Sequence, residues 1–217
     1  GSAQSQKFAF GDNNDGMELF ATDTRIILAV NNEYVNLPII YGNRSSGAPE
    51  TSDDIKKGQA AVGITIMDIS LLNGTWSITK DSPLNRRITA QTPTELTGPA
   101  TGTELTITDL DPKGNSPLGT LSNCGSGRTP WNTYLSCEEN FNLFFASSDP
   151  KHNLNDELRR YGITKTDRGY NWYRHDERFD ISIHPNEVNR FGYIVELDPL
   201  NPNSIPKKHS ALGRFKH

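Results

Sequence analysis

The chain has 217 residues, of which 34% are hydrophobic and 22% charged, with 18 glycines and 13 prolines. This composition is typical of a globular protein rather than a disordered one, and it favours short strands and turns over long helices. The formal net charge of −4 without a basic stripe argues against a nucleic-acid partner, and no apolar run is long enough to span a membrane.

Short strands are predicted in pairs through the first 80 residues. Strands at 16–20 and 25–30 are joined by a short polar turn, and strands at 60–70 and 75–80 by a turn that contains Asn73-Gly74. Asn-Gly is a strong hairpin signal because both residues tolerate a positive φ. Each pair is therefore expected to form half of a four-stranded antiparallel sheet.

Three further strands are predicted at 104–109, 133–137 and 193–198, each bounded by Gly, Pro, Asn or Asp. Short antiparallel strands at this spacing indicate an all-β fold. A sandwich, a barrel and a β-propeller are all compatible with them, because each accommodates short strands and their edges in its own way.

The segment 149–187 differs from the rest of the chain, since it is rich in charged and aromatic residues. One short helix is predicted within 153–163, with Asn155 or Asp156 as its N-cap. The segment is longer than an ordinary loop, which suggests an insertion or a lid over a functional surface. A solvated excursion without a catalytic part is the alternative.

Cys137 ends the predicted strand at 133–137 and is followed at once by Glu138 and Glu139. Alternation places Cys137 on the face of Leu135, so a buried structural cysteine is one interpretation and a disulfide with Cys124 is another. A carboxylate beside a thiol raises the thiol pKa unless a cation neutralises both. Sulfur and carboxylate oxygen together suit a transition metal such as iron or zinc, with a harder ion sharing the carboxylate.

A second polar strand end follows the strand at 25–30, where Asn31, Asn32 and Glu33 supply amide and carboxylate oxygens. Calcium prefers this ligand set, although an ordinary polar turn would have the same composition. The stretch 11–16, "GDNNDG", resembles a calcium loop in composition but lacks the closing glutamate of an EF-hand, so a turn is expected there.

The end of the chain carries Arg214, Lys216 and His217 close together. A phosphate or another oxyanion would suit these side chains, because arginine and lysine donate charge-assisted hydrogen bonds to such groups. A plain basic tail is the alternative. No nucleophile elbow, P-loop, zinc-protease motif or paired CxxC is present.

Four longer stretches together carry a family resemblance: 30–36, 86–102, 118–141 and 191–217. In this order they closely resemble the PhoX family of bacterial alkaline phosphatases. The resemblance implies a β-propeller with its active site in the central opening, a cluster of iron and calcium, and hydrolysis of small phosphate esters. It also implies export by the twin-arginine route, to the periplasm or out of the cell.

The resemblance also implies roles for individual residues. Cys137 is expected to be an iron ligand, with Glu138 and Glu33 as carboxylate ligands and Asn123 as a catalytic contact to the substrate. Adjacent strand residues face opposite ways, so Glu139 competes with Glu138 for the ligand role. No role is assigned to Cys124.

Members of the PhoX family are much longer than this chain. The resemblance therefore predicts a single propeller domain over 1–217 that is incomplete at its C-terminus, with the rest of the same polypeptide as its partner. Two alternatives remain at this point: a calcium-stabilised propeller that only binds a ligand, and a propeller that hydrolyses phosphodiesters or lactones.

Overall fold

A computed structural model describes residues 1–217, which form two five-stranded sheets with a few short helices. The strands are β1 (Asn14–Ala21), β2 (Ile26–Asn32), β3 (Gly63–Leu72), β4 (Thr75–Ile78), β5 (Arg86–Ile88), β6 (Glu95–Thr97), β7 (Asn123–Arg128), β8 (Tyr134–Glu138), β9 (Ile194–Leu197) and β10 (Lys207–His209). The first sheet has the order β1-β2-β3-β4, with β5 also paired to β3, and the second has the order β6-β10-β9-β8-β7. All pairs are antiparallel except β6 with β10. The predicted all-β class is confirmed.

The helices are short: α1 (Ala3–Gln6), α2 (Leu37–Ile40), α3 (Ser52–Ala61) and α4 (Asp156–Arg160). Single 3-10 turns lie at Phe141–Phe144, Trp172–Arg174, Glu177–Phe179, Glu187–Arg190 and Ser210–Leu212. None of the helices combines the length and apolar character that crossing a membrane requires.

Helix α3 was not expected from the sequence. Its start is stabilised by a capping box, in which Thr51 accepts from the backbone N–H of Asp54 and the Asp54 carboxylate accepts from that of Thr51. The strand predicted from residue 60 therefore begins only at Gly63. Gly63 has a φ of +104°, and a Cβ there would lie 2.1 Å from the carbonyl oxygen of Ile88, so the position requires glycine.

The other strand predictions are confirmed except at 104–109, which forms turns. There the hydroxyl of Thr106 donates to the carbonyl oxygens of Ala100 and Thr103 at 2.9 and 3.1 Å. Such local side-chain bonds offer the backbone an alternative to strand pairing.

The segment 149–187 contributes several buried side chains to the core, although most of its first half is exposed or half-buried. Leu158, Trp172 and Phe179 are buried in the larger of two hydrophobic clusters, and the rings of Trp172 and Phe179 lie 4.8 Å apart. Asn155 caps α4, as one of the two predicted possibilities, by accepting from the N–H of Leu158.

The smaller hydrophobic cluster joins the two sheets. Phe20, Ile27 and Ile64 of the first sheet pack with Tyr134 and Leu197 of the second. This contact brings β1 and β2 alongside β7 and β8, so the polar ends of these four strands meet at one place. The opposite face of the first sheet leaves large apolar side chains exposed, among them Met17, Leu19, Trp76 and Ile78.

Candidate metal centre

Five potential ligands meet where β1, β2, β7 and β8 converge: Asp15, Glu33, Cys124, Glu139 and His217. They form two groups that share Cys124, one with Asp15 and His217 and the other with Glu33 and Glu139. Within each group the ligand atoms lie within 4.8 Å of one another. The Sγ atom of Cys124 lies 2.7 Å from Oδ2 of Asp15 and 2.8 Å from Nδ1 of His217.

A β-bulge places Cys124 in this cluster. The register between β7 and β8 shifts between Asn123 and Ser126, so Cys124 and Gly125 both lie opposite Cys137. A bulge adds a residue to one strand and redirects its side chains, and bulges are common beside functional sites.

Asn31 fixes the bulge against the first sheet. Its Nδ2 atom donates to the carbonyl oxygens of Cys124 and Gly125, at 2.7 and 3.1 Å. Its Oδ1 atom accepts from the Tyr134 hydroxyl at 2.9 Å. The Asn31 side chain is fully buried, so it connects β2 to both strands of the second sheet that carry the cluster.

The charges in the cluster favour the binding of a cation. The pKa of the Cys124 thiol is raised by burial, by its hydrogen bonds with Asp15 and Glu139, and by the charge of Glu33. The pKa of Glu33 is likewise raised by burial and by the charges of Asp15 and Glu139. Burial and the neighbouring carboxylates thus disfavour the ionised forms of Cys124 and Glu33, and a bound cation would reverse this.

The donor set fits a mixed metal centre. Thiolate and imidazole suit iron or another transition metal, whereas carboxylate oxygens also suit calcium. One sulfur, one imidazole and three carboxylates are therefore compatible with an iron and calcium cluster in their chemistry.

The comparisons with known proteins agree with one another. The family model described as "Alkaline phosphatase PhoX" matches residues 1–217, which is the whole chain.

The chain belongs to the PhoX family.

One solved structure that matches is "Pseudomonas fluorescens PhoX in complex with vanadate, a transition state analogue". It is 43% identical, with a TM-score of 0.94, and the match covers 100% of this chain and 38% of that one. The chain thus spans well under half the length of this PhoX relative. No curated protein matches.

Of the residues expected to bind metal in this PhoX chain, Glu33 lies in the cluster and Cys137 does not. The structure brings Cys124 to the cluster instead, because the bulge directs that side chain towards Glu33 and Glu139. Both cysteines are free, so the disulfide alternative is wrong. The cysteine that lies among the potential ligands is therefore Cys124 and not Cys137, the one expected from the sequence.

Glu138, the other carboxylate expected to bind metal, lies outside the cluster. Its side chain is fully buried, with Oε1 at 2.8 Å from Nζ of Lys208, and Oε2 accepts from the backbone N–H groups of Gly192 and Tyr193 at 2.9 and 3.2 Å. Strand alternation turns Glu138 into the interior and Glu139 towards the cluster. Of the two adjacent glutamates, Glu139 is therefore the one that lies in the cluster.

Asn123 does not face an open site. It is fully buried, and its amide nitrogen donates to Thr120 Oγ1 at 2.9 Å and Ser136 Oγ at 2.8 Å. Its amide therefore supports the start of β7, and the expected substrate contact is not available to it.

The sequence reasoning missed Cys124, Asp15 and His217 as members of the cluster. Asp15 lies within "GDNNDG", whose calcium-like composition was the available signal. Cys124 is followed by Gly125, Ser126 and Gly127, and such small residues are typical of a bulge.

Proposed function

We propose that this chain carries the metal centre of a phosphomonoesterase, an alkaline phosphatase that uses iron and calcium. The observation that carries the proposal is the cluster formed by Glu33, Cys124 and Glu139 with Asp15 and His217, in a chain that belongs to the PhoX family. A relative that is 43% identical binds vanadate, a transition-state analogue.

In this proposal Cys124 and His217 would hold iron, while Asp15, Glu33 and Glu139 would hold calcium. Metal ions held there would supply positive charge for the phosphoryl oxygens and would lower the pKa of a water molecule. The bulge and Asn31 hold Cys124 beside the ligands of the first sheet.

Lys216 is the residue of this chain best placed to attract the phosphoryl group. Its Nζ atom donates to Asn140 Oδ1 at 2.7 Å, and the Asn140 side chain in turn hydrogen-bonds Glu33 and lowers its pKa. Lys216 is exposed and pairs with no carboxylate. A lysine so close to the cluster stabilises phosphate oxygens as a point charge.

We further propose that the two sheets are neighbouring blades of a β-propeller, and that 1–217 is part of one such domain. The exposed apolar face of the first sheet supports this, since a further blade would cover a surface of this kind. The further blades would be formed by polypeptide that corresponds to the part of the longer relative outside the match. We also propose export to the periplasm or the cell exterior, on the family resemblance.

The experiment is to measure metal content and hydrolysis on the same purified sample. We expect iron and calcium, and turnover of p-nitrophenyl phosphate that is lost after chelation and restored by the two metals. Bis-p-nitrophenyl phosphate serves as the diester control. Faster hydrolysis of the diester would contradict a monoesterase, and metal-free protein with full activity would contradict the metal centre.

A further inference from the structure

A cavity of about 320 Å³ lies directly beside the candidate metal centre. Glu139 belongs to both, so one carboxylate separates the cluster from the cavity. The other walls come from α4 with Tyr161 and Gly162, from the turn after β8, and from residues 214–216. A ligand bound to the cluster could therefore extend into this cavity.

Three cations line the cavity: Arg160, Arg214 and Lys216. None of them pairs with a carboxylate. The Arg214 guanidinium donates to the backbone carbonyl oxygens of Phe191 and Val188, at 3.0 and 3.1 Å, and lies 4.0 Å from the centre of the Tyr161 ring. The cavity is therefore locally positive, although the chain as a whole carries a formal charge of −4.

Arg160 differs from its neighbour Arg159 on the same helix. Arg159 pairs with Asp156 at 2.8 Å, and it does not line the cavity. Arg160 lines the cavity, is exposed, and makes no ion pair or side-chain hydrogen bond. An unpaired guanidinium at the wall of a cavity is available to bind an anionic group.

Aromatic side chains complete the cavity, with Phe141, Tyr161 and Phe215 providing apolar surface. Small-molecule sites commonly combine apolar walls with a few charged groups, and a volume near 300 Å³ is at the small end of their range. The cavity is thus of a size for a small organic group attached to a phosphate.

We propose that this cavity binds the leaving group of the phosphomonoester, and that Arg160 selects leaving groups that carry a negative charge of their own, such as a carboxylate. The inference rests on the proposed phosphatase function. A substrate with its phosphate at the cluster would place its organic part next to Glu139, between Tyr161 and Arg160.

The test compares 3-phosphoglycerate with glycerol 3-phosphate, which differ in a carboxylate against a hydroxymethyl group. For the metal-loaded protein we expect a higher kcat/KM for 3-phosphoglycerate. Arg160→Gln should reduce the ratio of the two kcat/KM values by about fivefold, the effect of one partly exposed ion pair. Arg159→Gln is the matched control and should leave the ratio unchanged.

A second measurement does not depend on turnover. Isothermal titration calorimetry with the non-hydrolysable phosphonate analogues of the two esters should show the same preference, again reduced in Arg160→Gln only. Equal binding of the two phosphonates, or equal effects of the two arginine variants, would overturn the inference. If neither ester is hydrolysed while the phosphonate preference remains, the proposed function fails and the cavity assignment stands.

Discussion

The side-chain amide of Asn31 holds the carbonyl oxygen of Cys124 at 2.7 Å, across the boundary between the two sheets. This hydrogen bond joins the polar end of β2 to the bulge in β7. The candidate metal centre is therefore supported by a buried hydrogen bond between residues that are far apart in sequence.

Asn31→Ala should destabilise the fold and loosen the metal centre. It removes the donor to the carbonyl oxygens of Cys124 and Gly125 and the acceptor for the Tyr134 hydroxyl, all at a buried position. We expect a loss of about 2–4 kcal/mol in the free energy of unfolding, since each buried group left without a partner costs about 1–3 kcal/mol. Urea denaturation measures this, with the exposed Asn153→Ala as control. Equal stability of the two variants would argue against the bridging role.

Cys124→Ser and Cys137→Ser form a matched pair that tests the thiolate ligand. We expect Cys124→Ser to lose bound iron and phosphatase activity, because Cys124 is the cysteine within ligand distance of the carboxylates. Cys137→Ser should keep both, since its half-buried thiol lies outside the cluster. Elemental analysis and p-nitrophenyl phosphate turnover report on the two variants. Loss of iron from the Cys137 variant alone would restore the ligand first expected from the sequence.

Lys208→Met should be strongly destabilising, because it leaves the Glu138 carboxylate without its cation in a fully buried position. Removing one partner of a buried ion pair costs about 3–5 kcal/mol. The double variant Lys208→Met/Glu138→Gln should recover much of that loss, since both charges are then gone. Lys207→Met, the exposed neighbour on β10, is the control. Chemical denaturation of the unmodified protein, of Lys208→Met and Glu138→Gln singly, and of the double variant measures the coupling, and additive losses would contradict a direct pair.

Glu196 should make the free energy of unfolding depend on pH in the acidic range. Burial raises its pKa, but hydrogen bonds from Thr133, Trp131 and His209 outweigh burial, so the pKa lies below its ordinary value of 4.5. A carboxyl whose pKa is lowered by folding contributes stability that is present above the unfolded pKa and lost as the pH falls through the folded one. Glu196→Gln should therefore show a smaller loss of unfolding free energy between pH 6 and pH 3 than the unmodified protein. The same loss of unfolding free energy in Glu196→Gln as in the unmodified protein would contradict this. An equally reduced loss in the exposed control Glu95→Gln would also contradict it.

Most strands were predictable from local patterns, because hydrophobic stretches such as 25–30 are bounded by turn residues. Helix α3 was not predicted, and the local signal that specifies its start is the capping box of Thr51 and Asp54. The segment 104–109 was misassigned because the Thr106 hydroxyl bonds to the backbone instead of joining a sheet.

The site was harder to predict than the fold. Glu33 was found because a polar residue directly follows a buried strand. The choice between Cys124 and Cys137, by contrast, depends on a register shift between β7 and β8, and register is a property of two strands rather than of either one. The position of Glu138 was likewise not predictable from its neighbours in sequence, because its partner Lys208 lies 70 positions further along the chain.

The bulge contains two residues with different contributions. Cys124 supplies a donor atom, whereas Gly125 supplies space: a Cβ there would lie 3.2 Å from the backbone carbonyl carbon of His217 and 3.7 Å from the Cys137 sulfur. A larger residue at position 125 would press on the backbone of His217 while every ligand remained in the sequence. The shape of the cluster in this chain therefore depends on a Cys-Gly pair at a strand irregularity, and not on the spacing of the cysteines.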